Sequence, residues 1–255
     1  LMHDVGFTPK KMRLAQLPEE MTEVARLSIR HGWRQPSVRL LMMIGFVQGL
    51  FMAWGFYAWQ PYFLELLGAN LPWVAGVIAA LVSLATIAGN EISELLTRQA
   101  GRRTTILWSA ALIHTAAIIG VALAASFWQA VALYLLAMLA MGLWSPVRQA
   151  YLHGLIPSKQ RATVVSFDSL VNSSGSMLGQ AGLGQLAQAQ SYGAGYLVSG
   201  LTSALAWPLL GVLRRRDDEA DMIVHRAGER GACAGQGLPC VAAVDASPRT
   251  GVSTA

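Results

Sequence analysis

Six apolar runs, at about 38–59, 72–96, 104–126, 128–147, 163–187 and 191–213, follow one another along the chain with short polar gaps between them. A hydrocarbon core about 30 Å thick takes roughly 20 helical residues to cross, and each run has that length. The pattern predicts an all-α membrane protein with six transmembrane helices. Glycine and proline inside the runs do not argue against helix, because neighbouring helices can satisfy the backbone they disturb. Gly45, Gly49 and Gly55 are accordingly read as packing positions.

The flanks read differently. Residues 14–32 suit a cytosolic amphipathic helix: Pro18 fits its first turn, Glu19, Glu20 and Glu23 favour the positive end of the dipole, and Arg26 and Arg30 the negative end. Met21, Val24 and Ser28 share one of its faces. Residues 214–255 are rich in Gly, Ala and charge with no hydrophobic period, the composition of a disordered tail. The expected organisation is a cytosolic linker at 1–37, a transmembrane bundle at 38–213 and a cytosolic tail at 214–255. The chain opens on Leu1 and a polar stretch unlike a signal peptide, so a fragment of a longer protein is expected.

Charge sets the orientation. All 19 Lys and Arg residues lie in alternate gaps: seven up to Arg39, then Arg98, Arg102 and Arg103, then Arg148, Lys159 and Arg161, then six from Arg214 onward. Short basic loops stay in the cytoplasm. Both termini are therefore expected inside, and the cation-free gaps holding Asn70, Ser126 and Tyr192 outside. The bulk composition agrees, at 54% hydrophobic and only 13% charged, where a soluble domain carries about a quarter charged residues. A net charge of +5 fits anionic lipid on the cytoplasmic leaflet. No nucleic-acid partner is expected, because the cations are spread over four segments without interleaved aromatics. Cys233 and Cys240 have no neighbouring ligand set, so neither a metal site nor a cofactor is expected.

Polar groups inside apolar spans are costly and become functional candidates. Ser83, Thr86, Asn90 and Glu94 fall on one face of the second span, and Asp168, Asn172, Ser176 and Gly179 on one face of the fifth. Each stripe ends in an acid at the cytoplasmic side. Arg98 is the i+4 partner for Glu94, and Arg148 can reach Asp168 across a short loop. These acids and cations, with Arg102 and Arg103, are either interfacial charges touching water or a cytoplasmic charge latch. Gly175 and Gly179 form a GxxxG step that brings another helix close, as static packing or as a sliding contact. Gln48, Met52, Gly55 and Trp59 share a face of the first span. Gln48 reads either as an interhelical hydrogen bond or as a substrate contact, and His114 as a core histidine or a proton relay.

Three stretches carry a family likeness: Arg98-Gln-Ala-Gly-Arg-Arg-Thr after the second span, Ser145-Pro-Val-Arg-Gln-Ala-Tyr at the end of the fourth, and Ile156-Pro-Ser-Lys-Gln-Arg-Ala-Thr-Val-Val-Ser-Phe leading into the fifth. With the span pattern, they resemble the C-terminal six-helix half of the major facilitator superfamily of secondary transporters. The first stretch keeps Leu96, Gly101, Arg102 and Arg103 of the family's G-x-L-A-D-R-x-G-R-R loop, but has Glu94 at the Gly position and Arg98 at the Asp position. Gly101 is read as allowing a tight turn, and the two arginines as capping carbonyls or pairing with acids. The resemblance implies two three-helix repeats forming half of a twelve-helix fold, with an N-terminal six-helix half on the same or a separate chain as partner. It also places Gly200 at the lipid-facing periphery.

For function, the resemblance implies transport of a small solute across a cell membrane by alternating access, in the efflux branches with H+ as coupling ion. Any coupling acid would then lie in the N-terminal half. The expected substrate wall is Gln48, Trp59, Ser83, Thr86 and Asn90. An uptake symporter half and a non-transporting membrane scaffold or sensor are the alternatives. An enzyme is not expected, since the spans hold no HExxH, no GxSxG and no His–acid pair at helical spacing.

Overall fold

The computed structural model describes Trp33, residues 35–69 and residues 71–223. The expected amphipathic helix at 14–32, Asn70, and residues 224–255 lie outside the described residues. Among the described residues the chain forms α1 (Pro36–Leu67), α2 (Pro72–Gln99), α3 (Arg103–Ala122), α4 (Phe127–Leu155), α5 (Arg161–Ala189), α6 (Tyr192–Ser203) and α7 (Ala206–Arg214), with 3-10 turns at Ser158–Gln160 and Glu219–Asp221. Five helical segments are long and apolar enough to cross a membrane: α1, α2, α3, α4, and Tyr192–Arg214 taken together. Helix α5 has the length, 29 residues, but its run of Ser, Asn and Gln keeps it off that count.

Local chemistry explains the boundaries. Pro36 and Pro72 open α1 and α2, where a missing N–H costs nothing. Ser126 and Ser191 cap α4 and α6 by accepting from the N–H of Gln129 and Ala194. Helix α1 ends at Gly68, whose left-handed φ of 67° lets its N–H reach the carbonyls of Leu64 and Glu65. Two helices outrun the hydropathy pattern, α1 continuing through Gln60 and Pro61 and α4 past Val147 through Arg148 to Leu155. The sixth apolar run is broken at Ala204 and Leu205. Pro208 has no N–H for the carbonyl of Ala204, which instead receives the N–H of Trp207 in a tighter turn.

The core divides lengthwise. One cluster gathers Leu41, Ile44, Leu107, Trp144, Tyr151 and Leu210 at the end where α1 begins. The other gathers Phe51, Trp59, Tyr62, Phe63, Tyr134 and Tyr196 toward the opposite end. The hydroxyls of Tyr134 and Tyr196 both donate to the Gly55 carbonyl, at 3.1 and 3.2 Å, so the buried phenols are satisfied.

Two glycine seams fix the closest approaches. Between α1 and α5, a Cβ on Gly175 or Gly179 would overlap the carbonyl oxygens of Phe46 or Leu50, and one on Gly49 would meet Asn172. Between α2 and α4, Gly89 lies on the Leu139 carbonyl and Gly142 on that of Thr86. Gly200 does not lie at the periphery as expected: it is buried, and a Cβ there would meet Ile119 of α3 at 2.6 Å.

The expectation of a disordered tail from 214 onward is corrected for its stretch up to Ile223. The segment after α7 folds back on the bundle, where Asp218 accepts from Ser37 at 2.6 Å and Tyr151 at 3.3 Å. Asp221 takes both the N–H and the hydroxyl of Thr104 at 2.7 Å, and Ile223 donates to the Gly101 carbonyl. Gly101 itself has open space where a Cβ would stand and no left-handed φ. The chain turns here within the three residues between Gln99 and Arg103, as expected, but without needing a glycine, and the Gly101 backbone also serves as a docking point for the returning chain.

Candidate functional site

A cavity of about 150 Å³ with a mixed polar and apolar lining lies between α1, α4 and α5, lined by Gly45, Gln48, Met52, Met141, Trp144, Ser145, Arg148, Gln149 and Asn172. On α1 the residues at 45, 48 and 52 follow helical spacing, as do those at 141, 145 and 148 on α4. Helix α5 contributes Asn172, held there by the glycine seam.

Arg148, on the cavity wall, is paired with Asp168 of α5. Nη1 of Arg148 donates to Oδ2 of Asp168 at 2.9 Å and Nη2 to Oδ1 at 2.6 Å, a two-pronged contact. Nη2 also donates to the Leu41 carbonyl at 2.9 Å, tying α1 to α4 and α5. Gly45 makes this possible, because a Cβ there would collide with the guanidinium. The pair is 5% and 3% exposed. The picture of Arg148 reaching across a loop at the water interface therefore gives way to an arginine inside a helix. A buried pair of this kind gains little net stability over apolar residues, yet losing one partner costs about 3–5 kcal/mol.

Gln48 is 6% exposed and lines the cavity, and its Oε1 has no partner in the protein. Trp59 stands apart: it is 3% exposed and packs on Phe63 and Tyr134 in the aromatic core. Ser83 and Thr86 donate back to the carbonyls of Ala79 and Val82 within α2, and Ser83 and Asn90 are exposed on its outer face. None of these four lines the cavity with Gln48.

The six charges grouped as a possible latch fall into three separate places. Glu94 and Arg98 form an exposed i,i+4 pair on α2. Arg102 pairs with Asp217 at 2.8 Å, and Arg103 donates to the Ala220 carbonyl, both holding the segment that follows α7. Of the six, Arg148 alone lines the cavity, with Asp168 as its buried partner.

His114 is buried away from the cavity, with Nδ1 3.3 Å from the Ala137 carbonyl and its ring edge-on to Phe51. Sequence reasoning missed Trp144, Ser145 and Gln149 as cavity residues. Residues 145 and 149 stand four apart beside Arg148, so continuing the α4 helical period past Val147 would have found them. A second recess of about 450 Å³ lies toward the other end of the bundle, lined by Trp54, Tyr57, Gln180, Gln188 and Tyr192 among others. Among the described residues no group of three or more His, Cys, Asp or Glu is placed to hold a metal ion.

Residues 72–236 match the family model described as Major Facilitator Superfamily, which is more than half of the chain. No curated protein matches the chain.

Proposed function

The chain belongs to the major facilitator superfamily, and we propose that it is one six-span half of a secondary transporter that moves a small solute by alternating access. The observation that carries this reading is the hydrogen-bonding cavity held inside apolar helices, with Gln48 unpartnered at Oε1 on its wall. A buried polar group left unpaired at such a place is costly unless something polar uses it.

Six crossings are supported by the course of the chain. Ser37 at the start of α1, Tyr151 near the end of α4 and Asp218 after α7 meet at one end of the bundle. With Tyr192–Arg214 as one crossing between Leu155 and Asp218, a return to the same end calls for a second, which supports α5 as a crossing helix despite its polar composition. Two three-helix repeats are supported by the glycine seams: α1 packs on α5 as α4 packs on α2, a first helix of one repeat on a second helix of the other. The lining of the cavity chiefly by α1 and α4, the two first helices, agrees with that pairing.

In this reading the exposed faces of α2 and α5 meet an N-terminal half. Arg148 and Asp168 act as the cytoplasmic latch, and coupling to protons belongs to the N-terminal half, since Asp168 is already committed to Arg148. Proteoliposome transport tests the proposal. The chain alone is expected to insert and move nothing, and addition of an N-terminal six-span half to give saturable, gradient-driven flux. Such flux from the 255-residue chain alone at one copy per vesicle would overturn it.

A further inference from the structure

We propose that the cavity between α1, α4 and α5 selects an uncharged solute that carries a paired hydrogen-bond donor and acceptor beside a flat apolar face; this rests on the reading of that cavity as part of the solute path. Charge excludes the alternatives. Arg148 is the cation on the cavity wall, and its two terminal nitrogens already hold both oxygens of Asp168 and the Leu41 carbonyl. An anionic solute at the guanidinium would be repelled by the Asp168 carboxylate already paired with it, and a cationic one would find that carboxylate occupied. The pair leaves the wall neutral.

Two groups on this neutral wall remain unmet: the Nε–H of Arg148, a buried donor without a partner, and the carboxamide oxygen of Gln48, an acceptor without one. The Gln48 side chain is nine-tenths buried and lines the cavity, and its Oε1 accepts no hydrogen bond within the protein. A carboxamide presents a donor and an acceptor side by side, so its natural complement is another such pair, as in an amide or a polyol. Asn172 and Gln149 add further amides of the same kind. Trp144, also buried, together with Met52 and Met141, supplies the apolar side against which a planar group packs. A site built to pair a buried amide rejects analogues that leave it unpaired far more sharply than an apolar pocket rejects one of the wrong size.

The test uses three probes of one shape and different charge: benzamide, benzoate and benzamidine, titrated calorimetrically into the full chain in lipid nanodiscs at neutral pH. Benzamide is expected to bind at least about tenfold more tightly than either charged probe, and Gln48→Leu to weaken it by about tenfold. Gln48→Glu, nearly identical in shape, should turn the ranking over in favour of benzamidine, which keeps the test decisive if the leucine variant fails to fold. Equal or tighter binding of a charged probe by the unaltered chain would overturn the proposal. So would binding of none of the three, or a ranking that Gln48→Glu leaves unchanged. Binding as expected without flux in proteoliposomes would instead count against the transport reading and leave the selectivity standing.

Discussion

Arg148, Asp168 and Gly45 form a unit in which each residue makes sense only with the others. The guanidinium sits where a Cβ at position 45 would stand, and the carboxylate neutralises it out of water. Arg148→Met or Asp168→Asn alone leaves its partner uncompensated and should lower stability by about 3–5 kcal/mol. Removing both in Arg148→Met, Asp168→Leu should cost less than either single change, as thermal unfolding in detergent would show. Gly45→Ala should destabilise the unaltered chain but be tolerated beside Arg148→Met, a coupling that a double-mutant cycle isolates. Simple additivity would mean that Gly45 serves the backbone and not the arginine. The sequence allowed the pair to be named, because stripe spacing and charge are local properties. Its burial was hidden, because Arg148 stands just past the apolar run that ends at Val147, and hydropathy cannot say that α4 continues to Leu155.

Among the elements, the α1–α5 seam depends on an absent side chain. Gly179→Ala places a methyl group against the Leu50 carbonyl, and the two backbones must part, at a cost of about 1–3 kcal/mol. Gly182→Ala, on the same helix with nothing nearby, should instead gain up to about 1 kcal/mol from helix propensity. Comparing the two melting temperatures separates packing from propensity, and equal shifts would remove the seam argument. The GxxxG spacing made this seam legible in the sequence. The segment after α7 was not legible, because its order comes from Asp217, Asp218 and Asp221 meeting Arg102, Ser37 and Thr104, contacts about 115 to 181 residues apart along the chain. No hydrophobic period records such contacts. Asp221→Ala strips a carboxylate from the N-terminus of α3 and should cost about 0.5–2 kcal/mol, with faster amide exchange at Thr104 as the readout.

For the molecule as a whole, the position of α5 decides the topology. It is too polar to insert on its composition alone, yet it packs along α1 through Gly49, Gly175 and Gly179, and so its insertion is expected to depend on that seam. In a background lacking Cys233 and Cys240, six crossings place Gly101→Cys and Glu219→Cys within reach of a membrane-impermeant maleimide from the cytoplasm only. Ala125→Cys and Tyr192→Cys should then react from outside only. If α5 did not cross, Tyr192 would share a side with Gly101, and the segment carrying Asp218 would be parted from Ser37 by the membrane, contrary to their 2.6 Å contact. Because a branched side chain at the tightest point of the seam forces α1 and α5 apart, Gly179→Leu should abolish external labelling at position 192 while leaving that at position 125 intact. Loss at both positions would mean general misfolding. Loss at neither would mean that α5 inserts without the help of α1.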